Sequence, residues 1–326
     1  HPAGRRSRAC PATSATIRFT LPNDAWWERL IDKTGRFDRK ARFRWRDPKV
    51  LEKLPDFASW QGYVWQMPMH DMAHLAAQDE IWIAEGIFDA WALNLAFRNR
   101  KLGRAAVSGM SVNNWPEHFL NALRKAIVDG PTPQQRPRLV FAYDVGAAGI
   151  RYTKQHVERA IREGWEATAA QVRPDGEGSK VDWNDLWLRH RDWKGEADKA
   201  PLGENAIDEY LWNGAVTIAP TAIKKAKLLY ERKQLGRNQF WFRHANVMWW
   251  CKVSYEADDE DDPKQRSPKF DLEEIANCSF NILYHEFDTV EDRGAYYLQI
   301  DFPTSRPTAK ARFSSNACSS SGEFKK

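Results

Sequence analysis

Between residues 80 and 195, short apolar runs alternate with longer segments of helical periodicity, and this alternation constrains the fold more than any other feature. The pattern predicts strands at 80–84, 105–109, 138–144 and 165–173, and helices at 87–100, 116–129 and 148–163. Strands that alternate with helices form a parallel sheet with helices on its faces. We therefore expect an α/β domain whose functional residues lie at the carboxyl ends of the strands.

This pattern occupies only part of the 326 residues, so the chain is expected to divide into several regions. Residues 1–79 form a mixed basic N-terminal region, and residues 80–200 form the α/β domain. Residues 201–235 are predicted to be a helical linker, and residues 236–326 are rich in strand-like sequence. Five consecutive acids at 258–262 cannot pack together, which predicts an exposed loop within the last region.

Acidic residues follow three of the predicted strands at the point where each strand ends. Glu85 follows the first strand, Asp144 ends the third, and Asp182 and Asp185 come after the fourth. The carboxyl ends of parallel strands share one edge of the sheet, so these carboxylates are expected to converge. Clustered carboxylates repel one another unless a cation lies among them. Oxygen ligands with open water positions suit Mg²⁺ or Mn²⁺, ions that usually serve phosphate chemistry.

Glycines beside these acids predict tight turns from strand to helix. Gly86 directly follows the first acid, and Gly149 lies shortly after the second. Such turns bring backbone N–H groups and a helix N-terminus close to a bound anion. Lys180, in the loop after the fourth strand, is a candidate to neutralise a phosphate.

Structural roles for the same residues remain open from the sequence. Glu85 and Asp89 lie near the start of a predicted helix, where the helix dipole favours negative charge. Asp182 or Asn184 can serve as the N-cap of the last helix, because its side-chain oxygen accepts a backbone N–H. Asp185 is then the stronger metal-ligand candidate of that segment.

The segment 36–49, RFDRKARFRWRDPK, interleaves basic and aromatic residues. Cations can follow a nucleic-acid backbone while rings stack on its bases. A solvated strand or hairpin with its rings in the core is the structural alternative. The candidate nucleic-acid-binding residues are Arg39, Lys40, Arg42, Arg44 and Arg46.

Composition excludes several classes of protein. The net charge of +5 is a mild bias toward anionic partners. The four cysteines form no CxxC pair, which argues against a zinc ribbon or a disulfide framework within this chain. No apolar run approaches the roughly 18 residues of a membrane span, and no signal peptide is visible. We expect no membrane partner, and we expect a fragment of a longer cytoplasmic protein, since the chain begins with His1.

Three motifs together resemble the TOPRIM domain, which DnaG-type primases, topoisomerases and some nucleases share. They are EGIFDA (85–90), AYDVGAAG (142–149) and DWNDLW (182–187), in that order along the chain. The resemblance covers about a third of the chain and implies a metal-dependent α/β domain.

The resemblance also implies roles for individual residues. Glu85 corresponds to a general acid/base or metal ligand, and Asp144 and Asp185 correspond to ligands of a divalent metal. Asp89 is implied to support the turn at the helix start. The sequence departs from the family at Gly146, where the family's DxD pattern has its second aspartate. Three explanations are open: Asp182 or Asp185 replaces that ligand, a second metal binds weakly, or the site is not fully catalytic.

The leading hypothesis is a DNA primase that joins nucleoside triphosphates on a single-stranded DNA template, with Mg²⁺ or Mn²⁺ as cofactor. A catalytically weak module that binds nucleic acid and recruits a helicase is the alternative, and a TOPRIM nuclease is a third possibility. The later sequence contains EIANCSFNILYHEFD (274–288), YYLQIDFP (296–303) and SSSGEFKK (319–326). With these segments it also resembles primase–helicase proteins of phages and integrative elements. The chain has no GxxxxGK[ST] motif. A replicative helicase is therefore expected as a partner, in the same protein or in a separate one.

Overall fold

The computed structural model describes residues 13–22, 26–32, 60–98, 102–129, 136–172, 181–232, 238–245, 247–257, 266–276, 279–288, 293–301 and 309–314. The chain forms two compact units, His1–Ile218 and Ala219–Lys326. Their boundary falls inside the segment 201–235, which was predicted to be a linker. Across the described residues, no helix is long and apolar enough to cross a membrane.

The first unit begins with an antiparallel pair of strands, β1 (Thr13–Thr20) and β2 (Trp26–Asp32). Phe19 on β1 is buried, and its ring meets the ring of Trp65 edge-on at 5.8 Å between centroids. A short helix, α1 (Met72–Ala76), follows and is capped by the Asp71 side chain. This N-terminal pair of strands therefore packs on the domain that comes after it.

A parallel four-stranded sheet forms the centre of the first unit, as the alternation predicted. Its strands are β3 (Glu80–Ala84), β4 (Arg104–Ser108), β5 (Arg138–Ala142) and β6 (Ala167–Ala169). Their order is β4-β3-β5-β6, and each neighbouring pair is parallel. The predicted α/β class is confirmed.

Helices cover both faces of this sheet. They are α2 (Ile87–Phe97), α3 (Glu117–Val128), α4 (Ala147–Arg162), α5 (Trp183–Arg191) and α6 (Glu204–Ile218). Successive residues of a strand point to opposite faces. On β3, Trp82 accordingly enters a core shared with α2, α5 and α6, whereas Ile81 and Ile83 enter a core shared with α3 and α4. Helix α6 lies within the predicted linker but is part of the domain.

Strand β4 lies at the edge of the sheet, and the buried Asn94 of α2 pairs with its outer backbone. The Asn94 amide accepts the Ala106 N–H and donates to the Ala106 carbonyl, both at 2.8 Å. Trp65 exchanges two further backbone hydrogen bonds with Ser108. An unpaired edge invites pairing with another chain, so these contacts close the sheet on this side.

The amino-terminal edge of the sheet is held by a buried ion cluster around Glu80. Glu80 accepts hydrogen bonds from Arg104 at 2.9 Å and from the Trp82 indole at 3.0 Å, and it pairs with Arg138. Burial opposes the Glu80 charge, but the hydrogen bonds outweigh this and hold the pKa of the carboxyl below its usual range. This cluster is structural and lies opposite the acidic edge.

The second unit contains one helix and two antiparallel sheets among the described residues. Helix α7 (Ala222–Glu231) precedes β7 (Gln239–His244), β8 (Val247–Ala257) and β9 (Arg266–Ala276), which pair in that order. A second sheet contains β10 (Ser279–Asp288), β11 (Arg293–Asp301) and β12 (Ala309–Ser314). The predicted strand-rich character of 236–326 is confirmed.

Candidate functional site at the carboxyl edge of the parallel sheet

The order of the strands creates a crevice between β3 and β5. The chain passes from β3 to β4 on one side, and then places β5 on the other side of β3. Open α/β sheets bind ligands where the strand order reverses in this way. Ala84 pairs with Ala142 at the ends of these two strands. Glu85 and Asp144 follow them, so the structure places both predicted acids at this reversal.

Glu85 is partly exposed, and its backbone is tied to the loop after β4. The Ser108 hydroxyl donates to the Glu85 carbonyl at 3.0 Å and accepts the Met110 N–H at 3.0 Å. Met110 has φ 61°, in the left-handed region that a methionine rarely adopts. Burial, and secondarily the charge of Glu85, raises the pKa of the Tyr143 phenol. The Glu85 carboxylate is therefore close enough to Tyr143, which follows β5, to disfavour the charged form of its phenol.

Asp144 is positioned by the start of α4. Gly149, in the first turn of that helix, packs directly on the Asp144 backbone, and a Cβ at Gly149 would lie 3.2 Å from the Asp144 carbonyl carbon and closer to its oxygen. Only glycine allows this approach without a shift of the backbone. This contact is the physical reason for a glycine at position 149, in the turn that the sequence predicted. Gly146 is the N-cap of α4 and offers no carboxylate.

Asp89 joins the N-termini of two helices. It is 7% exposed, and its carboxylate accepts the Asn184 N–H at 3.2 Å and a backbone hydrogen bond from Gly86. Burial and the nearby charges of Asp144 and Asp182 raise the pKa of Asp89 to about 8. Its position in the first turn after the Gly86 N-cap corresponds to the acid of a capping box. A supporting role, as the resemblance implied, agrees with these contacts.

Asp182 is the N-cap of α5 and accepts the Asp185 N–H at 2.7 Å. Burial raises the pKa of Asp182, and the Asp185 charge adds to this rise. The Trp183 indole donates to the Ala142 carbonyl at 2.8 Å, which anchors α5 at the end of β5. One carboxylate oxygen of Asp182 is thus used to cap α5. Asp185 lies partly exposed in the first turn of the same helix.

The chemistry of this edge suits a hydrated divalent cation. Repulsion among Asp89, Asp144 and Asp182 is of the kind that a bound cation relieves. Among the residues that the structure describes, no group of three or more His, Cys, Asp or Glu side chains could hold a metal ion. Mg²⁺ commonly keeps several waters and takes one or two carboxylates together with substrate phosphates. The edge therefore fits a cation shared with a phosphate, and it does not fit a site closed by protein ligands alone.

Sequence reasoning missed a buried polar pair behind the acidic edge. The Tyr143 hydroxyl and His156 Nδ1 lie 2.8 Å apart, and both residues are buried. Burial, and then the charge of Arg159, lowers the pKa of His156 to about 4, so the imidazole is neutral. Tyr143 directly precedes Asp144, so this pair fixes the end of β5 to α4. His156 is spaced along the sequence so that it falls on the apolar face of α4, and this spacing could have indicated that its side chain is buried.

Several predicted site residues lie outside the described residues. These are Lys180 and the basic candidates Arg39, Lys40, Arg42, Arg44 and Arg46.

Fold and site together define an α/β domain with carboxylates at the carboxyl edge of a parallel sheet. A family model described as Toprim-like matches residues 82–187, from β3 into α5. This part of the chain is therefore a Toprim-like domain, which confirms the class that the three motifs predicted.

Two solved structures are also similar to the chain. The RNA polymerase domain of Mycobacterium tuberculosis primase DnaG is 19% identical, with 72% of this chain and 74% of that chain covered and a TM-score of 0.39. The same domain in complex with double-stranded DNA is 17% identical, with coverages of 68% and 70% and a TM-score of 0.38. These TM-scores are too low for the likeness to bear on function. The comparison with curated proteins gave no match.

Proposed function

We propose that this chain is the primase part of a replication protein and joins nucleoside triphosphates on a single-stranded DNA template. The observation that carries the proposal is the gathering of acids from three separate segments at one edge of a Toprim-like domain, where the pKa of Asp89 rises to about 8. One or two of these carboxylates, completed by water and by the phosphates of a nucleotide, would suit a divalent cation.

Different residues of the acidic edge would bind the metal ion and handle the proton. Asp144 and Asp185, with Asp182 as a further candidate, would hold Mg²⁺ or Mn²⁺. When bound, the ion stabilises negative charge on phosphate oxygens and lowers the pKa of a coordinated hydroxyl. Glu85 accepts the proton of the attacking 3′-hydroxyl or orients the groups around it. The N-terminus of α4, whose N-cap Gly146 makes no side-chain hydrogen bond, directs backbone N–H groups toward the same edge, where they favour anionic phosphate.

Primer synthesis from labelled nucleotides on single-stranded DNA tests this proposal. We expect Glu85→Gln to lower the rate by about 10²- to 10⁴-fold, the usual contribution of a general acid or base. Asp129→Asn is the matched control, since Asp129 is an exposed carboxylate at the opposite end of α3. Full activity of Glu85→Gln would remove Glu85 from the mechanism.

Metal binding by calorimetry tests the acidic edge separately. Mn²⁺ should bind the wild type and should bind Asp144→Asn far more weakly, while Asp129→Asn should match the wild type. Mn²⁺ binding that is unchanged in Asp144→Asn would place the ion elsewhere.

A second candidate is favoured by Gly146, which supplies no carboxylate at the N-cap of α4. In this alternative the domain binds nucleic acid and recruits a replicative helicase without efficient chemistry. Wild-type protein that binds DNA but neither Mn²⁺ nor nucleotides would support it. Analysis of the reaction products distinguishes a primase from a TOPRIM nuclease, the third possibility. A primase yields growing oligomers, whereas a nuclease yields shortened DNA.

A further inference from the structure

The sheet β7-β8-β9 has one face packed on α7 and one face turned to solvent. Phe240, Phe242, Cys251 and Val253 form the packed face together with Ala226 of the helix. The residues between them alternate to the other side of the sheet. On that outer face, β7 carries Gln239 and Trp241, and their partners on β8 are Lys252 and Trp250.

Trp241 is the exceptional residue of this outer face. Its side chain is 50% exposed, although both of its neighbours on the strand are buried phenylalanines. It contacts the ring of its cross-strand partner Trp250 edge-on, with centroids 5.5 Å apart and an interplanar angle of 90°. The contact fixes the orientation of the Trp241 ring while leaving much of it accessible. An exposed aromatic ring that is held by a cross-strand contact is a suitable platform for stacking.

The charges around this ring favour an anionic partner. Lys252 is diagonal to Trp241 across the β7–β8 ladder and is exposed, and Arg243 lies two residues along the same strand. The acids of the outer face are Asp271 and Glu273 on β9, which lie opposite Lys252 and Trp250, and Glu256 farther along β8, which pairs with Lys269. Within the described part of the second unit, β7 pairs only with β8. On β7 and β8 themselves, the charged neighbours of Trp241 on the outer face are the cations Arg243 and Lys252, and its aromatic neighbour is Trp250.

We propose that this outer face, defined by Trp241, Trp250, Arg243 and Lys252, binds single-stranded DNA. A base stacks on Trp241, while Lys252 and Arg243 contact the flanking phosphates. Stacking on a ring tolerates any base sequence, as a template-binding surface requires. The choice of DNA rests on the proposed function, whereas the surface itself lies entirely in the second unit and needs no metal.

Fluorescence anisotropy of a labelled oligo(dT) strand, measured in EDTA on the full chain, tests the proposal. We expect Trp241→Ala to raise the Kd about tenfold or more, since stacking of one base contributes substantially to binding. Trp241→Phe should retain most of the affinity because it keeps an aromatic face. Trp193→Ala is the matched control, since Trp193 in the first unit is 44% exposed, and it should bind like the wild type.

Two further measurements separate the competing outcomes. Lys252→Gln should reduce the salt dependence of binding by about one phosphate contact. An unchanged Kd for Trp241→Ala overturns the proposal. Light scattering that shows loss of self-association in Trp241→Ala, with unchanged DNA binding, would assign the face to a second copy. Equal binding of oligo(dT) and oligo(U) would keep the stacking surface but remove the preference for DNA.

Failure of this proposal is distinguishable from failure of the proposed function. Asp144→Asn should bind Mn²⁺ far more weakly without changing oligo(dT) binding in EDTA. Trp241→Ala should weaken oligo(dT) binding in EDTA without changing Mn²⁺ binding.

Discussion

Replacing Gly149 with alanine distinguishes helix propensity from tertiary packing as the reason for this glycine. Gly149 lies within α4 (Ala147–Arg162), where alanine is intrinsically more stable than glycine by about 1 kcal/mol. The structure predicts the opposite sign. A Cβ at this position would lie 3.2 Å from the Asp144 carbonyl carbon and closer still to its oxygen, and Cβ contacts below 3.0 Å essentially never occur.

The magnitude follows from the kind of atom that the new methyl group meets. Both atoms belong to the backbone, so no side-chain rotation relieves the overlap. Overpacking of this kind costs about 1–3 kcal/mol, and a backbone clash belongs near the upper limit. After the gain of about 1 kcal/mol in propensity, the net destabilisation is about 2 kcal/mol. For a unit of this size that corresponds to a fall in Tm of about 4–8 °C.

Thermal denaturation of Gly149→Ala and Gly109→Ala measures this difference. Gly109 directly follows β4 at the same edge of the sheet, but the nearest atom to a Cβ there is 3.5 Å away. That variant should stay within about 0.5 kcal/mol of the wild type. Because the shift displaces Asp144, Gly149→Ala should also weaken Mn²⁺ binding. A Gly149→Ala protein that is as stable as the wild type, or more stable, would refute the packing argument.

Three further predictions concern the buried polar groups that support the sheet. Glu80→Ala should lower the free energy of unfolding by about 3 kcal/mol in urea denaturation, since it removes one of the two carboxylates that pair with the buried Arg104, the other being the less buried Glu204. Because the pKa of Glu80 is lowered in the folded state, the stabilisation from its charge is present above pH 4.5 and is lost as the pH falls below that value. The wild type should lose stability as the pH falls from 6.5 to 4, because the unfolded state protonates His156 at a higher pH than the folded state does. Denaturation measured at several pH values should show a shallower dependence of the unfolding free energy on pH for His156→Phe. Asn94→Leu should cost about 1–3 kcal/mol per backbone group left unpaired, and faster hydrogen exchange at Ala106 would show that the edge strand has opened. Unchanged stability of the first and third variants, or an unchanged pH slope of the second, would contradict the roles assigned to these side chains.

Much of the candidate site could be predicted from local patterns in the sequence. An apolar run that ends in an acid and a glycine, as at Glu85 and Gly86, indicates a strand followed by a tight turn and a helix. The alternation of such strands with helices predicted the parallel sheet, and the acids that follow three of the strands were predicted to lie at one edge of it. Asp182 was one of two predicted caps for α5, and the structure assigns the cap to it because its carboxylate accepts the Asp185 N–H.

The sequence by itself determined the helices and strands of the parallel sheet and the edge that bears the acids, because these follow from local periodicity and from the direction of parallel strands. The tertiary structure decided the strand order, which places Glu85 and Asp144 on either side of one crevice. It also decided the environment of Asp89, whose contacts with Gly86 and Asn184 join segments far apart in the chain. Burial and the charge of distant residues are properties of the folded chain, so no local pattern could predict the raised pKa of Asp89.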